Sequence, residues 1–164
     1  MTATSVGPLE IRREAITSAA AARMISAMND ELSSLYPEAG ANHFRLDADE
    51  VAEGRGAFLV AVRRGRPVGC GAIRRLDERT AEIKRMYVAP EARGAGVGRA
   101  VLHALEAEAR RLGVTRIVLE TGERQLRALA LYASSGFVSV PAWGEYVGSP
   151  VSVCMEKRLQ GTAA

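Results

Sequence analysis

Arg93-Gly94-Ala95-Gly96-Val97-Gly98-Arg99 is the stretch whose residue types and spacing most directly imply chemistry. It follows a strand-like run, Glu82-Ile83-Lys84-Arg85-Met86-Tyr87-Val88. It opens a segment with apolar residues at helical spacing: Val97, Val101, Leu105, Ala109 and Leu112. A helix N-terminus leaves backbone N–H groups without intrahelical partners and carries the positive end of the helix dipole. Glycines ahead of it let an anion approach the backbone and permit torsions that a Cβ would penalise. The expected ligand is an anion, and a pyrophosphate fits. Arg93 and Arg99 add positive charge at the same mouth. A tight structural corner is the other reading of such a turn. Two common nucleotide loops do not match. A Walker loop ends in Gly-Lys-Ser/Thr, where this chain has Gly98-Arg99-Ala100. The dinucleotide fingerprint needs its third glycine one position later than Gly98.

Metal and thiol chemistry have no comparable pattern. Cys70 and Cys154 sit inside apolar runs and read as buried free thiols. His43 and His103 are isolated, with no ligand spacing, so no metal is expected. The net charge of +3 is small and dispersed, as in Arg12-Arg13, Arg63-Arg64, Arg74-Arg75 and Arg110-Arg111, with acids between. That excess is too small and dispersed to argue for nucleic acid by itself, so no nucleic-acid partner is expected, and it suits an anionic cofactor. At 164 residues the chain is expected to form one domain over 1–164, with 1–8 and 160–164 as flexible tails. The N-terminal segment has no signal-peptide pattern, and no apolar run approaches the ~20 residues of a membrane span. A cytoplasmic protein without a membrane partner is expected.

The elements that must position the glycine loop follow from pattern. Leu9–Arg12 alternates as an edge strand, and Ala15–Leu35 is a helix ended by Tyr36-Pro37. Residues 37–46 read as loop and Asp47–Glu53 as a short helix. Phe58–Val62 and Val68–Ile73 form a hairpin about Arg64-Gly65-Arg66-Pro67. After the strand at 82–88 comes a helix over 96–112, stopped by Gly113. Glu106 with Arg110 and Glu108 with Arg111 mark its wet face. A strand over 115–119 leads to a helix bearing Leu126, Leu129, Ala130 and Ala133, with Thr121 a candidate N-cap. Val151–Met155 is the last strand. The class is mixed α/β.

These residues resemble the GNAT family of N-acetyltransferases, which move an acetyl group from acetyl-CoA to an amine. Arg93-x-x-Gly96-x-Gly98 matches that family's pyrophosphate loop, and Val88-Ala89-Pro90-Glu91-Ala92 is similar to its lead-in. Ala128-x-x-x-Tyr132-x-x-x-Gly136-Phe137 matches its second signature. Gln125 stands where members often carry Asn, which puts one hydrogen bond to the cofactor in question. The resemblance implies a central twisted, mostly antiparallel sheet of six to seven strands. About four helices flank it, and a splayed parallel pair marks the cofactor site. It further implies acetyl-CoA as donor, no metal, and a possible homodimer. The cofactor-binding positions carried over are Met86, Tyr87, Val88, Arg93, Gly94, Ala95, Gly96, Val97, Gly98, Arg99, Gln125 and Ala128.

Making an amide from a thioester requires the amine to lose a proton, the carbonyl oxygen to be stabilised and the thiolate to leave. By the resemblance, the strand around Met86, Tyr87 and Val88 polarises the carbonyl. Glu82 is the candidate general base, with Glu120 in reserve. A regular strand would put Glu82, Lys84, Met86 and Val88 on one face. An ordinary glutamate, with pKa about 4.3, needs burial or a water relay for that task. The competing reading is a surface glutamate paired with Lys84 or Arg74. Tyr132 is the candidate general acid for the leaving sulfur, or else an aromatic packed near Leu129. Tyr36, Trp143 and Tyr146 are candidate walls of the acceptor site, or loop packing. The expected reaction is direct acetyl transfer to a primary amine of a small molecule or amino acid. Acetylation of a protein or peptide, and a silent acyl-CoA-binding module, are the alternatives.

Overall fold

The computed structural model describes residues 7–38 and 45–160. His43 lies outside the described residues. The strands are β1 (Leu9–Arg13), β2 (Gly56–Arg63), β3 (Arg66–Arg75), β4 (Thr80–Val88), β5 (Arg116–Gly122), β6 (Val138–Val140) and β7 (Ser152–Arg158). The helices are α1 (Ala19–Leu35), α2 (Val97–Leu112) and α3 (Leu126–Ser134). The seven strands form one sheet in the order β1-β2-β3-β4-β5-β7-β6. Every pairing is antiparallel except β4 with β5. Where a fourth, short helix is expected at 47–53, a single 3-10 turn spans Ala48–Val51. The strand Val138–Val140 has no counterpart in the sequence reading.

Helix α1 begins where the Ser18 side chain accepts the Ala21 N–H at 3.1 Å, four residues later than periodicity alone suggests. Its buried stripe, Ala21, Met24, Met28 and Leu32, follows the helical repeat. That stripe covers one face of the sheet, against Phe58, Val60, Cys70, Ala72 and Tyr87. Helices α2 and α3 cover the other face, where Val97, Val101, Leu105 and Tyr132 pack on Leu59, Ile73, Ile83 and Leu119. Gly113 ends α2 in a left-handed cap. Glu106, expected on the wet face of α2, is buried and paired with Lys157 at 3.0 Å, while Glu108 keeps its pairing with Arg111. Thr121 lies inside β5, and Gln125 is the residue that precedes α3.

The consequential departure from the sequence reading is in β4. Between the pairs Ala72↔Lys84 and Cys70↔Tyr87, β3 advances two positions and β4 three. Arg85, at φ 61°, absorbs the extra residue. Such a bulge reverses the alternation of side chains beyond it. Glu82 and Lys84 therefore lie on the α1 side. Met86 and Val88 pack with the α2 side, and Tyr87 returns to the α1 core. The expectation that Glu82, Lys84, Met86 and Val88 share a face fails for this reason.

Candidate active site

Strands β4 and β5 run parallel from Thr80↔Arg116 to Ile83↔Leu119, and their pairing stops there. Beyond that point, among the described residues, no strand pairing joins Lys84–Val88 to Glu120–Gly122. The bulge supplies the divergence by adding twist to β4. Tyr36, at the end of α1, supplies the wedge: its hydroxyl would lie 1.9 Å from a Cβ at Gly122, so only glycine fits. That hydroxyl accepts the Arg124 N–H at 2.7 Å. A cavity occupies the gap. Lys84, Arg85 and Met86 line it from β4, and Glu120 and Thr121 from β5. Tyr36, Gln125, Tyr132 and Tyr146 complete its polar wall.

Glu82 stands behind this cavity rather than in it. It is 0% exposed. Its Oε1 accepts from Arg74 Nε and Nη2 at 2.9 and 2.7 Å, and its Oε2 accepts the Tyr146 hydroxyl proton at 2.6 Å. Arg74 also binds Glu50. Of the two glutamates considered as a base, Glu120 is the one that lines the cavity. Its Oε2 accepts from the Ser152 hydroxyl at 2.6 Å. Burial, and then the negative charge of Glu120, push the Tyr132 phenol well above its ordinary value, so it stays protonated. Among the described residues the Tyr132 hydroxyl makes no hydrogen bond. Its ring meets Phe137 edge-on at 5.8 Å.

Strand β4 leads from the cavity to the glycine turn. Gly94 and Gly96 both stand at φ 82°, and a Cβ at either would meet nothing within 4 Å. Gly96 is the N-cap of α2, with no side chain capping the first turn. The opening of α2 thus presents backbone N–H groups to open space, a donor set that suits a pyrophosphate. Gly98 is a packing position instead, because a Cβ there would stand 3.2 Å from Leu131. The two arginines each have protein partners. Arg93 donates to the Val88 carbonyl at 3.0 Å, pairs with Glu31 at 2.8 Å and lies over the Tyr87 ring. Arg99 donates to Ser134 at 3.0 Å and Ser135 at 3.4 Å.

The family model for the acetyltransferase (GNAT) family matches residues 22–137. The chain belongs to this family. The GNAT assignment extends to relatives of similar length. An IAA acetyltransferase of Azospirillum brasilense is 42% identical over 151 residues, covering 91% of this chain and 97% of that protein. A candidate acyl-CoA N-acyltransferase from Klebsiella pneumoniae superposes with a TM-score of 0.78 at 33% identity, covering 93% of this chain and 98% of that one. A GNAT acetyltransferase from Elizabethkingia anophelis, solved with acetyl-CoA bound, shares the fold at a TM-score of 0.64 and 18% identity, over 92% of this chain and 98% of that one. The chain is an N-acetyltransferase.

In this GNAT enzyme the cavity gathers Tyr36, Met86, Gln125, Tyr132 and Tyr146 from the sequence-derived candidates. Ala95, Gly94 and Gly96 stand at the loop, with Val97 buried beneath it. Ala128 is half-buried against the α2-side core. Trp143 does not line the cavity; its ring backs Tyr146 edge-on at 5.0 Å. Lys84 and Arg85 line it and were not among the candidates. Alternation could have pointed to Lys84, a cation in a strand otherwise rich in apolar residues, but nothing local marks the bulge at Arg85. Among the described residues no helix is long and apolar enough to cross a membrane.

Proposed function

We propose that this GNAT enzyme transfers acetyl from acetyl-CoA directly to the primary amine of a small molecule or amino acid. The observation that carries the reading is the splay of β4 from β5, with Glu120 and Tyr132 facing one cavity and the open N-terminus of α2 at the far end of β4. Acetyl-CoA, when bound, supplies the thioester carbonyl that the amine attacks. The first-turn N–H groups of α2, reached over Gly94 and Gly96, would hold its pyrophosphate. The backbone of β4 beyond Ile83, where its pairing with β5 has ended, would orient the carbonyl.

Glu120 attracts the acceptor ammonium and takes its proton, directly or through one water. Tyr132 keeps its own proton in the buried site and gives it to the departing sulfur. Glu82 does not take the base role; it anchors Tyr146 and Arg74 behind the wall. Met28 and Leu32 of α1, together with Tyr36, close the α1 side of the cavity, which supports a compact acceptor over an extended peptide.

The test is CoA thiol release from acetyl-CoA over a panel of amines: amino acids, polyamines, aminoglycosides, arylamines and peptides with free N-termini. Turnover with a small amine supports the reading. Turnover with peptides alone overturns the acceptor class, and acetyl-CoA binding without turnover on any amine overturns the reaction.

A further inference from the structure

Lys84 is a cavity residue that the reaction above does not use. It is only 7% exposed, yet lines the gap between β4 and β5. Its ammonium has three donors. Among the described residues its one contact within hydrogen-bond reach is the Tyr146 hydroxyl oxygen at the long distance of 3.4 Å, and that hydroxyl spends its own proton on Glu82. The Lys84 nitrogen also stands 5.9 Å from the centre of the Tyr146 ring and its charge reaches Glu50, but among the described residues Lys84 forms no ion pair with a carboxylate. Glu82, on the same face of β4, is already held by Arg74 and Tyr146. A buried ammonium with donors to spare is costly unless an anionic acceptor completes its shell.

The surroundings narrow what that acceptor can be. Arg85, next along β4, adds positive potential on the same wall, while its guanidinium ties the bulge to α1 through the Ile25 carbonyl and Asn29. Glu120 stands on the opposite wall, on β5. The cavity thus has a cationic side and an anionic side. A molecule with a carboxylate for the first and an ammonium for the second matches both. A dianionic phosphate would meet stronger repulsion from Glu120 than a carboxylate would.

We propose that Lys84 anchors a carboxylate of the acceptor, so that the enzyme acetylates amino-carboxylates, free amino acids foremost, over amines that lack the acid group. This rests on the reading that the cavity receives the acceptor amine. The anchoring contact is made to the substrate's carboxylate, leaving its amine beside Glu120.

The experiment compares each amino acid with its own primary amide as acceptor, with phosphoethanolamine as the phosphate arm, by kcat/KM from CoA thiol release. The expected result is a preference for the acid of about tenfold or more, the scale of a charge-assisted hydrogen bond. Lys84→Met should abolish that preference by lowering kcat/KM on the acids, with the KM for acetyl-CoA little moved. A second measurement reads the anchor without turnover: in the presence of CoA, N-acetyl amino acids should raise the melting temperature of the wild-type protein more than their amides do. Equal kcat/KM on acid and amide overturns the anchor while acetyl transfer stands, and so does a preference for phosphoethanolamine. Absence of turnover on every amine overturns the reaction itself, and equal melting shifts by acid and amide then overturn the anchor separately. Lys84→Met lowering acid and amide alike also counts against it.

Discussion

The Tyr146 hydroxyl and Glu82 Oε2 lie 2.6 Å apart, with the proton donated by the tyrosine, on the floor of the gap between β4 and β5. Burial, and then the charge and hydrogen bond of Glu82, raise the Tyr146 phenol far above its ordinary value, so this donor stays a donor. With Oε1 held by Arg74, both oxygens of the carboxylate are engaged and it stands as a post between Arg74 and Tyr146. Arg74 in turn bridges Glu82 on β4 to Glu50 at the end of the 3-10 turn.

Arg74→Met tests that post. The substitution leaves Glu82 buried opposite an apolar side chain and removes the cationic partner of Glu50. Breaking one side of a buried ion pair costs about 3 kcal/mol or more. Chemical denaturation should therefore give a correspondingly lower unfolding free energy, whereas Glu82→Gln paired with Arg74→Met should recover part of it. Wild-type stability in Arg74→Met would mean the pair contributes nothing.

Glu50 gives the same network a pH signature. Burial alone would raise its carboxyl pKa, but the Asp47 N–H and the Arg74 guanidinium outweigh that and hold it below the ordinary 4.5. The folded protein therefore releases this proton more readily than the unfolded chain. The stabilisation is complete above about pH 4.5 and disappears as pH falls through the lower folded value. Melting curves between pH 6 and pH 3 should show the decline on the acid side, and Glu50→Gln should flatten it. An unchanged slope in the variant would remove Glu50 from the account.

The glycine turn can be tested against a matched control. Gly96 stands at φ 82° before the first turn of α2, and Gly113 at φ 80° after its last; a Cβ on either meets open space. Valine at either position incurs similar backbone strain. Only at Gly96 does the new side chain project where the anion would sit. Gly96→Val should weaken CoA binding by about tenfold or more by calorimetry, the loss of roughly one charge-assisted contact. Gly113→Val should lower the melting temperature while leaving CoA affinity within a factor of about three, which is under one such contact. Equal affinity losses would return the turn to a structural corner.

Much of this layout is local and therefore legible in the residues. The turn Arg93–Arg99, the stop at Gly113, the hairpin about Gly65 and the apolar stripes of α1 and α2 each arise from neighbours in sequence. What escaped depends on partners far along the chain. The bulge at Arg85 exists because β3 sets a register that β4 overruns by one residue, and that single residue moves Met86 and Val88 away from Glu82. Glu106 sits at the spacing of a wet helix face, yet Lys157 on β7 draws it inside. Arg93 and Arg99 suggest a charged phosphate site by position. That Glu31 on α1 and the serines ending α3 pair with these side chains is set by distant residues the local pattern does not show. Glu82 and Glu120 are equal as letters, and only the third dimension separates the enclosed carboxylate from the one lining the cavity.

Tyr132 carries the last prediction. Burial and the negative field of Glu120 keep its phenol protonated, and its hydroxyl makes no hydrogen bond among the described residues. Removing that oxygen should therefore cost little stability, because no partner is stranded and the ring keeps its edge-on contact with Phe137. If the hydroxyl protonates the leaving sulfur, Tyr132→Phe should lower kcat by about a hundredfold, the scale of a lost general acid, with the KM for acetyl-CoA nearly unchanged. A thiol of lower pKa needs less help to depart, so an acetyl thioester of a more acidic thiol should partly restore the rate in the variant. An unchanged kcat would make Tyr132 a core aromatic. A lower melting temperature with equal loss in kcat and in acetyl-CoA affinity would make it a packing residue of α3.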